Sequence, residues 1–132
     1  MRCAAGLTLL AAAALSASLS GCSGLAAPTD DMPAAGPDPS FRDMIAAHLK
    51  KTFKNYSGYD SFEISDPRWV RSMKGWNWLS CIRFQDHGHV RIYSVFFNSG
   101  KIVDDRYAVQ TDGCATETYS PFERMSGLDP LY

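Results

Sequence analysis

What the sequence lacks narrows it before any motif is read. It has no Gly-x-Ser-x-Gly nucleophile elbow, no Cys-x-x-Cys pair and no internal repeat. It has no apolar run of the ~20 residues that a membrane-spanning helix needs. Histidine is scarce, with three in 132 residues, and none stands with a convincing nucleophile and an orienting acid. Asp104 and Asp105 are neighbours on an expected strand, so they point to opposite faces and cannot act as a carboxylate pair. The chain also has no basic excess: 13 Lys and Arg face 14 Asp and Glu, for a formal charge of −1. That balance speaks against nucleic acid as a partner.

What is present begins at the N-terminus. Met1-Arg2 supplies one positive charge, and Cys3–Leu19 carries none. This is the n-region and h-region of a secretory signal. Ser20 and Gly21, both small, lead to Cys22. The stretch LSGC resembles the lipobox of bacterial lipoproteins. The resemblance implies that residues 1–21 are cleaved and that the Cys22 thiol and new amino terminus are acylated. A single acyl chain anchors only marginally, each buried CH₂ contributing about 0.8 kcal/mol, whereas several on one cysteine hold firmly. An ordinary signal peptide with an incidental cysteine is the plainer alternative. In Gram-negative lipoproteins of this kind Asp after the cysteine favours inner-membrane retention; with Ser23 there instead, the resemblance implies the outer membrane, with the domain facing the periplasm. Ala-rich signals of this type also occur in actinobacteria, where the cytoplasmic membrane would carry the anchor.

Residues 22–38 hold Pro28, Pro33 and Pro37 among alanine and glycine, a composition that cannot bury enough apolar surface to offset ordering. They read as a disordered tether reaching roughly 20–25 Å as a coil and about 50 Å when extended. Residues 39–132 then form one small domain. With Cys3 removed and Cys22 lipidated, Cys81 and Cys114 remain. In an oxidising compartment a disulfide between them is the default. It closes a loop of about 34 residues, worth roughly 3–4 kcal/mol in the chain-entropy treatment.

Within the domain, Phe41, Met44, Ile45, His48, Leu49 and Phe53 recur at helical spacing, with Asp38 or Ser40 to cap the start and Gly58 beyond the end. Alternating segments follow: Ser61–Ser65, a second after Asp66-Pro67, then WNWLSCIRFQ, HVRIYSVFF and IVDDRYAV. Ser120 and Glu123 form a capping-box pattern for one final helical turn. The expectation is an α+β domain, with an N-terminal amphipathic helix packed on an antiparallel β-meander of three to five strands and one disulfide.

A three-residue loop at Asp86-His87-Gly88 pairs Phe84 with Val90, Ile82 with Ile92 and Trp78 with Phe96. A turn on Ser99-Gly100 continues the register. One face is then apolar and takes the helix. The other gathers Arg83, Arg91 and Arg106 around Tyr93, with Arg83 opposite Arg91. Like charges directly opposite destabilise a strand pair unless compensated. Either the C-terminal segment covers this face, with Asp104 or Glu117 pairing the arginines, or the face is an anion or partner surface. Arginine's planar fork suits carboxylate and phosphate.

Two lesser candidates stand beside it. His87, His89 and Asp86 give a thin shell for a metal and do not share a face, so no metal or cofactor is expected. Trp69, Trp76 and Trp78 are a potential sugar-stacking platform, although Trp78 falls on the core face.

GWNWLSCIRF, YSVFFNSGKIVDDRYAV, DGC and YSPF together resemble small envelope lipoproteins of alphaproteobacteria, rhizobia in particular, over Phe41–Phe122. The resemblance implies a similar domain and an envelope location, and brings no activity with it. The functional expectation is therefore a non-enzymatic interaction domain, anchored by lipid on Cys22, that binds an envelope protein or peptidoglycan. The alternative is an inhibitor of a wall-degrading, lysozyme-type hydrolase.

Overall fold

The computed structural model describes residues 33, 35–54 and 57–125; the signal segment, Cys22 and most of the tether lie outside them. The first element is helix α1, Phe41–Thr52. Asp38 fixes its entry: Oδ1 accepts hydrogen bonds from the Ser40 amide at 2.8 Å and the Ser40 hydroxyl at 2.7 Å. Ser40 itself makes no side-chain cap. The apolar stripe is the one its spacing predicts: Ile45, Leu49 and Phe53 are buried, and Phe41 and Met44 pack beside them. Gly58 does not end the helix. It lies under the His87 ring, where a Cβ would come within 2.4 Å of the imidazole.

Six strands follow, all paired antiparallel: β1 Tyr59–Ser65, β2 Arg68–Ser72, β3 Gly75–Asp86, β4 His89–Asn98, β5 Lys101–Tyr107 and β6 Tyr119–Pro121. The long β3 organises them. β4 runs along one side of it, and the other side is shared by β1 and β2, which the Asp66-Pro67 break separates. Proline cannot donate to a ladder, so the break falls there. β6 extends the sheet beyond β1, and β5 is the opposite edge. The sheet thus has more strands than the three to five expected, because a short C-terminal strand joins it.

The register differs from expectation by one residue. The β3–β4 turn has two residues, His87 and Gly88, both at positive φ (49° and 82°), and Asp86 pairs with His89. That is the twist-matched hairpin turn. The His87 Nδ1–Asp86 Oδ1 contact at 2.7 Å and the His87 amide donating to the Gly58 carbonyl at 2.9 Å hold it. Phe84 consequently faces Arg91, Ile82 faces Tyr93, and Trp78 faces Phe97. Because side chains alternate, the slip exchanges the two faces of β4. The Ser99-Gly100 turn is as expected, but a bulge at Val103 shifts β5 beyond it.

Trp78, Ile82, Phe84, Tyr93, Val95 and Phe97 therefore pack under α1 in the main core, which Phe122 and Met125 complete from the C-terminal side. Each fully buried phenylalanine here contributes about 1.5–3 kcal/mol. A second, smaller core lies on the opposite face: Leu79, Cys81, Phe96 and Cys114, with Ile92, Val70 and Tyr119 at its margin. Cys81 and Cys114 are disulfide-bonded. The bond fastens the C-terminal segment across that face, and Tyr119 donates to the Cys114 carbonyl at 2.6 Å within it.

Candidate anion-binding groove

The arginines expected to gather are dispersed by the register. Arg91 moves to the helix side, at the exposed end of the β3–β4 hairpin, where its Nε lies 3.5 Å from Asp86. Tyr93 moves with it and is buried among Phe53 and Tyr107. Its hydroxyl donates to Asp105 Oδ2 at 2.6 Å, and the same oxygen meets His48 Nε2 at 3.0 Å. Burial, then the Asp105 carboxylate, pushes the Tyr93 phenol up. Arg83 stays on the second face but opposite Ile92, and it pairs with Glu63 at 2.6 Å across to β1. That hydrogen bond holds the Glu63 carboxyl below its usual range. The Arg83 guanidinium lies 4.3 Å over the Tyr119 ring. No two of these three arginines face each other.

Arg106 stays on the second face, in different company. It borders a groove of about 360 Å³ between β2 and the segment that follows β5, with Arg68 on its rim and Val70, Leu79 and Phe96 as apolar lining. One side chain organises its polar wall. Asp112, buried, accepts from Ser94 Oγ at 2.8 Å, from the Val109 amide at 3.1 Å and from Arg106 Nη2 at 2.8 Å. Its carbonyl accepts from Arg68 Nη2 at 2.7 Å. Burial alone would raise the Asp112 carboxyl, but these bonds outweigh it and hold the group below its usual range. Arg68 also pairs with Glu117, and Arg106 stacks 4.8 Å from the Phe96 ring.

The local chain path makes this possible. Gln110–Asp112 and Cys114–Thr116 are single 3₁₀ turns joined at Gly113, whose φ of +71° suits glycine. The kink aims Asp112 inward while Cys114 reaches Cys81. A Cβ at Gly113 would lie 3.2 Å from Arg68 Nη2, so the same glycine lets the guanidinium approach.

A guanidinium has five N–H donors. Asp112 and Glu117 use some of those on Arg68 and Arg106, and others remain. Arg71, opposite Trp76, alternates to the helix side of β2 and does not face the groove. The arrangement is thus suited to holding an anion against an apolar floor.

The other sequence candidates lie elsewhere. His87 caps the turn tip and His89 opens β4; among the described residues no three metal-ligating groups converge. Trp69, Trp76 and Trp78 share the helix side, with ring centroids 6.2 Å apart for Trp69–Trp76 and 5.2 Å for Trp69–Trp78. They pack on one another, and Trp78 is buried, so they present no open platform. Asp104 and Asp105 do point to opposite faces, towards Arg106 and Tyr93 respectively. Sequence reasoning missed Arg68 and Asp112. The Asp112-Gly113 dipeptide is a turn signal that marks where the chain reverses, not what the aspartate bonds.

No known protein family, curated protein or solved structure matches this chain.

Proposed function

We propose that this chain is a lipid-anchored protein of the bacterial cell envelope whose domain is a non-catalytic recognition module, and that the groove beside Asp112 is its anion-binding site. The observation that carries the reading is the pair Arg68 and Arg106. Both guanidiniums are fixed by one buried residue at the wall of an apolar groove. Fixing a charged group in advance lowers the ordering cost of binding. The lipobox at Cys22 supports the location, and the tether places the domain within a few tens of ångströms of the membrane. The anionic groups of peptidoglycan are the wall partner that this chemistry fits.

Three measurements test it. Labelled palmitate should enter the wild-type chain and be lost, with membrane association, in Cys22→Ala; labelling that survives the substitution would reject the anchor. The full-length protein, purified in detergent, should pellet with isolated peptidoglycan sacculi and be released by salt, as charge-based binding is. Added to a lysozyme assay, it should leave the rate unchanged; inhibition at micromolar concentration would favour the hydrolase-inhibitor alternative.

A further inference from the structure

The chain comes to its anchor from one end of the sheet. Pro33, Ala35, Gly36 and Asp38 lie with Asn98, Ser99 and Gly100 around a hollow of about 380 Å³, and the Gly36 amide donates to the Pro33 carbonyl at 3.0 Å. Residues 33 and 35–38, which the composition assigns to the tether, are thus seated against the β4–β5 turn. Cys22 and Pro33 are about 11 residues apart. As a coil that stretch spans roughly 17–20 Å. The tip of the β3–β4 hairpin stands at the other end of β4, His89–Asn98, about 30 Å away at ~3.4 Å per residue. A domain held by Cys22 therefore keeps its β4–β5 end near the bilayer, and the hairpin tip reaches lipid only with the tether drawn almost straight.

The side chains at the near end suit a lipid surface. The β2–β3 turn lies there too, since Asn98 Nδ2 donates to the Trp76 carbonyl at 3.3 Å. Met73 at its tip is fully exposed, more so than any other large apolar side chain among the described residues. The turn is stiff. Ser72 Oγ donates to the Gly75 carbonyl at 3.1 Å and accepts from the Lys74 amide and from Asn77 Nδ2, each at 3.2 Å. Arg71 and Lys74 neighbour Met73, Lys101 follows the adjacent turn, and all three are exposed. Arg71 and Lys101 have no carboxylate within salt-bridge distance among the described residues. Against them stand Asp104, 3.6 Å from Lys74, and Asp38, which Ser40 already engages.

Resting on the lipid anchor proposed above, we infer that this end of the sheet lies on the bilayer. Met73 enters the boundary between headgroups and acyl chains, and Arg71, Lys74 and Lys101 face anionic headgroup phosphates. The contact need not be strong. A short tether already holds the domain at an effective concentration of about millimolar, so the contact sets orientation rather than attachment. Each cation close to an anionic leaflet favours this pose about fivefold. The β3–β4 hairpin then projects away from the membrane.

The experiment uses the lipidated full-length protein, reconstituted with vesicles of phosphatidylethanolamine and phosphatidylglycerol and collected by flotation. A nitroxide is placed at Met73→Cys or, for reference, at Val90→Cys near the hairpin tip, both exposed positions, and circular dichroism checks the fold. Oxygen concentrates in lipid, whereas a nickel chelate stays in water. The ratio of oxygen to nickel collisions should be higher at position 73 than at position 90 by at least about fivefold, the worth of one cation at the surface. Combining Arg71→Glu and Lys101→Glu should lower the ratio at position 73 by about as much or more. A ratio unmoved by that pair would overturn the headgroup contacts. Equal ratios at the two positions in floated protein would overturn the docking and leave the anchor standing. Protein that does not float with the vesicles would sink the anchor, and the docking with it.

Discussion

The Ser94 hydroxyl donates to Asp112 Oδ2 at 2.8 Å, joining the middle of β4 to the 3₁₀ segment that carries the groove's polar wall. Both residues are buried. The contact is where the second face of the sheet becomes a site.

Removing the Asp112 carboxylate should therefore cost both stability and arrangement. Asp112→Ala strips a partner from the Ser94 hydroxyl, the Val109 amide and Arg106 at once. Arg106 is partly exposed, so the loss is that of hydrogen bonds to a charged group, about 1.5–3 kcal/mol. Urea denaturation of the variant should show a loss of that order. A loss under about 1 kcal/mol would mean the network is dispensable.

Acid should reproduce part of that loss. The Asp112 carboxyl is held below its unfolded value, because its hydrogen bonds outweigh the opposing effect of burial. A depressed carboxyl contributes stability that is full above the unfolded value, about 3.9, and is lost as pH falls through the folded one. Stability measured from pH 7 downward should fall below about pH 4. The fall should be shallower in Asp112→Asn, and an identical acid limb in the two proteins would assign it to other carboxylates.

Reduction should free the segment that holds the site. Without the Cys81–Cys114 bond, Asp112 and Gly113 keep only non-covalent ties to the sheet. Cys81→Ala with Cys114→Ala should lower stability by about 3 kcal/mol, seen as a melting temperature reduced by more than about 10 °C. Amide exchange should quicken between residues 109 and 117 before it does in β3.

Tyr93 offers a check on the helix side. Its phenol is pushed up by burial and by Asp105, so it should stay un-ionised in a spectrophotometric titration until the chain unfolds in base. Tyr93→Phe removes the 2.6 Å bond and leaves Asp105 to His48, at a cost of about 1–2 kcal/mol. An early-titrating tyrosine that disappears in this variant would contradict the buried placement.

The helix, the positions of five strands, the disulfide pairing and the final turn were legible in the sequence, because each has a local signal or follows by elimination. The register of β4 was not. Tyr93, Val95 and Phe97 on one face are matched by Val90, Ile92 and Phe96 on the other, so alternation could not choose between them. The turn decided it, and His87 entered the left-handed region that histidine adopts more readily than most side chains. The groove was illegible for a related reason. Arg68 and Asp112 are 44 residues apart, and only the folded chain path past Gly113 brings them together.

The bulge at Val103 has a consequence for how these molecules tolerate one another. β5 is one rim of the sheet, and there the ladder is offset, Lys74 Nζ covers the Val103 carbonyl at 3.3 Å, and Asp104, Asp105 and Arg106 follow in succession. A second chain cannot lay a flat strand along such a rim without losing pairings and stacking charge on charge. Two copies meeting along β5 would therefore part rather than zip into fibrils.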